Sequence, residues 1–544
     1  MLRKTKFPLA TLSLAVLLAL AVVCGASAQQ AAPPPATSGK DSNNPDFLVA
    51  VDEVLKDLSD ITGWELKGSL KKSIRSREQI RAYVLQQMNE EKDAKERYAS
   101  ARTAEAFGLL PKGFNLDSFL VDLLTEQIAG LYDPKAHEFY IADWIPAEDQ
   151  RMVMSHELTH ALQDQHFHIE EWAHAARPND DAELARESVL EGSAMVGMLE
   201  YELRDKGFKL KDLPDFDPSI FVGDLADTPN LKKAPPFIKD SLLFPYFAGL
   251  NFSLSVVRTG GWRGFDAIFA NPPTGTQQIM HPGLYRAGKV APPIKADLPE
   301  GVPGTGWNKL EENVMGEFGW KEILKQFLDE DRAKKVAAAW DGDDYVTFEQ
   351  KETKQVMVFA RVRLDTEQAA SDFFKTYSDA LAKRYPDAKN TVNGQQALAF
   401  DSPDGRVFLR CAASECVSAQ GADATTFSNW TRKLGWPAVT QTARIESAVP
   451  TFCSAASGCR HDTLRSFAQD DTFLLMREVR SQQRFEQNAH VRCSTSIVRS
   501  SVGFTPTENK RACSRHVESS SCGSESACAA ASSFTRDKPY SQPA

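Results

Sequence analysis

Positive charge is outnumbered in this chain. Its 63 Lys and Arg face 73 Asp and Glu, a net charge of −10, and no basic stripe gathers the cations. That balance argues against nucleic-acid binding and against anionic membrane surfaces. Long apolar runs are scarce. Past residues 9–23, none is long and apolar enough to cross a membrane. Histidine is rare, with 10 in 544 residues. Cysteine is sparse until the C-terminal stretch, since six of the nine lie beyond residue 440. The rest, 42% hydrophobic and 25% charged, is the composition of a globular protein long enough for several domains.

At the N-terminus Arg3, Lys4 and Lys6 precede the apolar run, and Ala26-Ser27-Ala28 forms a small-residue cleavage site before Gln29. Together they predict an export signal over residues 1–28. The run is short for a membrane anchor. Cys24 raises a lipoprotein alternative, which the bulky Val23 before it disfavours. Export places the chain in an oxidising compartment, where Cys411 and Cys416 can form a local disulfide. Residues 29–44 are a Pro-, Ala- and Ser-rich linker expected to be disordered. Residues 438–544 are Ser-rich and carry Cys453, Cys459, Cys493, Cys513, Cys522 and Cys528 with little periodicity. Disorder, a disulfide-stapled appendage and an out-of-frame end to the gene are the three readings of that tail.

Two of the rare histidines stand at a telling interval. Residues 156–160 read His156-Glu157-Leu158-Thr159-His160. On a helix, positions four apart lie one turn above each other, so both imidazoles can face one metal ion. Glu157 lies beside them, placed to polarise a water on that ion. This is zinc chemistry: imidazole and carboxylate ligands, an open position, and a carboxylate base. Ordinary helix-surface histidines are the plain alternative. Pro146, Glu148 and Asp149 suit the first turn of such a helix, and residues 137–142 before it read as a strand. Its edge could pair with a peptide by strand addition, or it could be a core hairpin. Residues 130–135 read as a turn.

A second helix is predicted over 181–204, with Glu183, Glu187 and Glu191 at successive i+4 steps. Gly192 and Ala194 are small enough to let another backbone come close. The pattern His156-Glu157-Leu158-Thr159-His160 followed by Glu191-Gly192-Ser193-Ala194 resembles the gluzincin-type zinc metallopeptidases, over about residues 126–202. The wider chain resembles secreted bacterial proteins of the same pattern. The resemblance implies zinc ligands His156, His160 and Glu191, with Glu157 as the catalytic base. Many gluzincins carry an acid four residues after the third ligand; here that place is Met195. Asp164, one turn past His160, is a candidate partner for the histidines. A rival third ligand is His166, at the metzincin spacing, although Gln163 stands where metzincins need glycine for a sharp turn. Glu187 is a further alternative.

Elsewhere, apolar residues at three- and four-residue steps (Phe47, Val51, Val54, Leu55, Leu58) predict a helix from Pro45. Ser76-Arg77-Glu78-Gln79 reads as a capping box. Residues 205–239 are a loop-rich insertion, 244–257 and 263–269 are two helices parted at Gly260-Gly261, and 307–327 is helical. The stretch 276–285 resembles a signature of the same bacterial proteins. Within it His281, Tyr285 or Arg286 could donate to an oxyanion; structural turn chemistry is the alternative. Asp341, Asp343 and Asp344 predict a turn rather than a calcium loop. After residue 345 the rhythm is strand, helix, strand.

The expected fold class is α+β and mostly helical: a signal peptide (1–28), a linker (29–44), an N-terminal helical layer (45–115), a zincin-like metallopeptidase domain (116–335), a small α+β module (336–437) and the tail (438–544). The expected function is hydrolysis of peptide or protein substrates by an exported zinc enzyme. No nucleic-acid partner and no membrane span after signal removal are expected. A non-catalytic zinc-containing envelope binding or assembly protein is the alternative, and zinc hydrolysis of a non-peptide amide is a third.

Overall fold

The residues Phe47, Val51, Val54, Leu55 and Leu58 are all buried. The helix their spacing specifies, α1 (Pro45–Thr62), packs on the helix that bears the histidine pair. A computed structural model describes residues 45–88, 91–207, 209–212, 228–394 and 396–437. The export signal, Cys24, the 29–44 linker, part of the 205–239 insertion and the tail with its six cysteines lie outside the described residues.

After α1 come β1 (Lys71–Arg75), α2 (Arg77–Met88), α3 (Glu91–Phe107), α4 (Leu116–Gln127), β2 (Gly130–Asp133) and β3 (Glu138–Ala142). The capping box forms as written: Ser76 N donates to Gln79 Oε1 at 2.7 Å, and Gln79 N donates back to Ser76 Oγ. Gly130 to Asp133, expected within a turn, is itself a strand, and the chain reverses over 134–137. β1 pairs parallel to β3, and β2 pairs antiparallel on the other side of β3, leaving β2 at the sheet edge. Next follow α5 (Ala147–Phe167), α6 (Ile169–His174), α7 (Asp180–Leu203), α8 (Pro229–Lys233), α9 (Pro236–Ala270), α10 (Thr276–Met280) and α11 (Pro282–Arg286). α9 is two helical segments run together across a break at Gly261, the place where the sequence parted them. Gly261 leaves the helical conformation there, with φ +64° and ψ −174°, which glycine tolerates. Helices α1, α5, α7 and α9 close one apolar core with Phe139 and Ile141 of β3.

The chain then builds a second sheet from β4 (Trp307–Asn313), α12 (Gly316–Lys325), α13 (Glu330–Ala337), β5 (Trp340–Gln350), β6 (Val356–Leu364), α14 (Glu367–Arg384), β7 (Asn390–Gly394), β8 (Ala397–Ser402), β9 (Gly405–Ala412), β10 (Glu415–Gln420) and α15 (Ala424–Lys433). Its seven strands run in the order β4-β5-β6-β10-β9-β8-β7, all antiparallel. The expected helix over 307–327 is therefore a strand followed by a helix. Pairing with β5 overrides the local pattern of 307–313. Asp343 and Asp344 sit in β5, not in a turn. Cys411 and Cys416 face each other on β9 and β10 and form the disulfide. The architecture is thus α+β, with helices dominant. Among the described residues no helix is long and apolar enough to cross a membrane.

A seam rich in buried acids joins α7, α10, α12 and the second sheet. Asp181 accepts from Thr276 Oγ1 at 2.5 Å. Asp343 accepts from Met315 N, Gly316 N and Trp340 Nε1 at 2.7–2.9 Å. Burial pushes the carboxyls up, to about 7 for Asp181 and Glu311 and about 6 for Asp343. His281 Nε2 lies 2.8 Å from buried Glu317, and that hydrogen bond raises the imidazole. All four folded-state values lie above the ordinary ones. Each group therefore contributes stability on the acid side, and that contribution is lost as pH rises through its folded value. The thermal midpoint should fall between about pH 5 and about pH 8, and Glu311→Gln should remove part of that slope. A midpoint that rises across this interval would contradict the protonated seam.

Candidate metal centre

His156, Glu157 and His160 project from α5, and Glu191 from α7. Two close approaches set the spacing of these helices. A Cβ on Gly197 of α7 would lie 2.8 Å from Thr159 Oγ1 of α5, so glycine lets the two helices meet. On its far side α7 touches α9: a Cβ on Gly192 would fall 2.0 Å from Gly249 C, and one on Gly249 would fall 2.1 Å from Ser188 O. The sequence expectation that Gly192 admits a neighbouring backbone holds. The backbone it admits is α9, while α5 is met at Gly197.

Held this way, His156 Nε2 lies 3.2 Å from Glu191 Oε2, His160 Nε2 lies 3.5 Å from the same oxygen, and the two Nε2 atoms are 3.3 Å apart. Their side chains are 2–4% exposed. Among the described residues these three form the one group of at least three His, Cys, Asp or Glu side chains whose ligand atoms converge enough to hold a metal ion. Burial pulls His160 down, but the Glu191 charge overrides it and carries the imidazole to about 9. Burial raises Glu191, and the His160 charge overrides that, bringing it to about 2. His166, the rival ligand, binds the Glu65 carbonyl instead, with Nε2 at 2.8 Å. Glu187 is outside the group.

Glu157 points to the edge strand. Its Oε2 accepts from Tyr132 N at 2.9 Å, while Oε1 is buried with no hydrogen-bond partner among the described residues. Burial raises its pKa. The β2–β3 pairing explains why that N–H is free. Ala142 N donates to Ala129 O, so alternate residues Gly130 and Tyr132 turn their backbone groups away from β3. A Cβ on Gly130 would lie 2.7 Å from Val153 Cγ1 and 3.4 Å from Glu157 Cγ, which keeps this strand position close to α5 only as glycine.

The residues around the group differ from expectation. Asp164 does not support the histidines. It accepts from Tyr132 Oη at 2.8 Å and lies 3.3 Å from His137 Nδ1. Gln163 takes that place, with Oε1 2.9 Å from His160 Nδ1. Tyr246 of α9, which sequence reasoning passed over in an apolar run, stacks on the His156 ring at 6.0 Å. His281 and Tyr285 have partners of their own. His281 pairs with Glu317, Tyr285 Oη donates to the Asn271 carbonyl at 2.7 Å, and Arg286 Nη1 donates to Ser255 Oγ. These contacts tie α11 into the helical layer, and none joins it to the His156, His160 and Glu191 group.

One family model matches the chain, over residues 305–433, and is described as a domain of unknown function, DUF8575. That span takes in the second sheet from β4 to α15 and stops short of α5 and α7. No curated protein and no solved structure matches the chain.

The glycine contact has a measurable consequence. Gly192→Ala should destabilise the protein by about 1–3 kcal/mol or more, because the methyl overlaps α9 backbone that cannot move aside. Gly264→Ala is the control: it is in α9 too, with nothing within 4 Å of its Cβ position, and should be neutral or slightly stabilising. Equal effects of the two in thermal unfolding would contradict the close approach.

Proposed function

We propose that the protein is an exported zinc-dependent peptidase of gluzincin type. The observation that carries the reading is the convergence of His156, His160 and Glu191 beside Glu157. Ligands about 2.0–2.1 Å from a tetrahedral zinc lie roughly 3.3–3.4 Å from one another. The three donor separations here, 3.2, 3.3 and 3.5 Å, match that edge length. The donor set, two imidazoles and one carboxylate, is that of catalytic zinc, with a fourth position left for chemistry. When bound, zinc supplies Lewis acidity at that position. Glu157 is the base: it takes a proton from the attacking water and returns it to the leaving amine. The peptide class rests on the gluzincin resemblance. The strand expected to receive a peptide, 137–142, is central in its sheet. The edge strand β2 lies beside Glu157, with Tyr132 N already donating to it, so strand addition at β2 would require Glu157 to release that N–H. The N-terminal export pattern supports action outside the cytoplasm.

A second reading, a zinc-containing binding or assembly protein without turnover, is favoured by one observation. Glu157 is 1% exposed and the three ligand residues 2–3%, a degree of closure usual for structural metal sites. The chemistry of Glu157 weighs against it, because a purely structural site has no use for a second buried acid beside the ligands.

The experiment is metal content and peptide cleavage for the wild type and Glu157→Gln. Gln can still accept from Tyr132 N, so zinc should be retained at one per chain. Cleavage of a mixed peptide library should fall by about 100-fold or more. Unchanged cleavage removes Glu157 from the mechanism, and zinc bound without turnover in the wild type selects the second reading.

A further inference from the structure

We infer that Gln163 is a positioning residue that sets the tautomer of His160 and tunes the grip of the site on its metal. The inference rests on the metal reading above. The argument runs through hydrogen-bond polarity. Ser193 Oγ lies 2.6 Å from the Val189 carbonyl and 3.1 Å from the Leu190 carbonyl. A carbonyl only accepts, so the Ser193 hydroxyl proton is spent on this turn of α7, and its oxygen is left to accept.

Gln163 Nε2 stands 2.8 Å from that oxygen and 3.4 Å from the Leu190 carbonyl. Both neighbours are acceptors, so the amide NH2 faces them and Oε1 faces the other way, onto His160 Nδ1 at 2.9 Å. An amide oxygen cannot donate. Nδ1 must therefore carry a proton in either charge state, and with a metal bound it is Nε2 that gives its lone pair to the space shared with His156 and Glu191. Gln163 and Ser193 are fully buried, so no solvent competes for these bonds. The chain of donors runs from α5 to α7, which means the helix that delivers Glu191 also orients His160.

The support is one-sided and uncharged. His156 Nδ1 is buried with no hydrogen-bond partner among the described residues. A carboxylate behind a ligating imidazole raises its basicity, whereas an amide fixes its orientation with less electron donation. The geometry points to a metal held by one oriented and one unsupported histidine.

The test compares full-length wild type with Gln163→Met, Gln163→Glu and Ser193→Ala. Zinc affinity is read by competition with a chromophoric chelator, and thermal stability is read on the metal-free proteins. Gln163→Met should weaken zinc binding about 10- to 100-fold. Gln163→Glu should restore most of it. Ser193→Ala, which frees the amide to turn, should weaken it to a lesser degree. In the wild type with zinc bound, 15N NMR of His160 should report a protonated Nδ1; a protonated Nε2 overturns the inference whether or not the variants fold. A Gln163→Met protein that melts lower but binds zinc as the wild type does assigns Gln163 to helix packing alone. A wild type that binds no zinc fails earlier, and refutes the metal reading with it.

Discussion

A carboxylate removed from water is costly unless charge or hydrogen bonds meet it, and Glu191 is met by two imidazole nitrogens. The chain commits much of its helical half to that meeting. α5 supplies the pair one turn apart, α7 supplies the acid, and glycines at 197, 192 and 249 remove the side chains that would hold the helices apart. Without a cation the three groups satisfy one another through an ion pair, which is why the His160 and Glu191 pKa values part so widely. The same nitrogens and oxygen are what a divalent cation requires. Structural cohesion of α5 with α7 and readiness for a metal thus arise from one set of contacts.

Around this centre charge is handled in two ways. At the metal group, opposite charges sit together. In the seam against the second sheet, like charges are buried near one another, and burial leaves Asp181, Asp343 and Glu311 holding protons well above the ordinary carboxylate range. The first arrangement concentrates charge where an ion could use it; the second couples the helical layer to the sheet through carboxyls that accept hydrogen bonds across the seam while burial raises their pKa. His281, paired with Glu317 at the same seam, is an opposite-charge contact within it.

Much of the helical frame was readable because its signals are local. The 3.6-residue rhythm of α1 and the reciprocal Ser76–Gln79 cap depend on neighbours within a turn or two. So does the four-residue spacing of His156 and His160. The failures were non-local. Trp307 to Asn313 became a strand because β5 lies beside it, and β5 itself holds Asp343 and Asp344, which in isolation favour a turn. The choice of Glu191 over His166 depends on where α7 crosses α5, information carried by Gly197 and Thr159 far apart in sequence. Gln163 was hidden for another reason: an amide has no charge and belongs to no familiar pattern, so only its partners give it meaning.

The contact between Gly192 and Gly249 reaches beyond packing. Sliding a helix by one residue moves it about 1.5 Å along its axis and would turn Glu191 or Ser193 toward the α9 backbone, where there is no room even for a methyl. The two helices are therefore keyed in register like a bolt in its slot. The Glu191 carboxylate cannot drift along the axis of α7, so its distance from the two imidazoles is set by backbone packing alone.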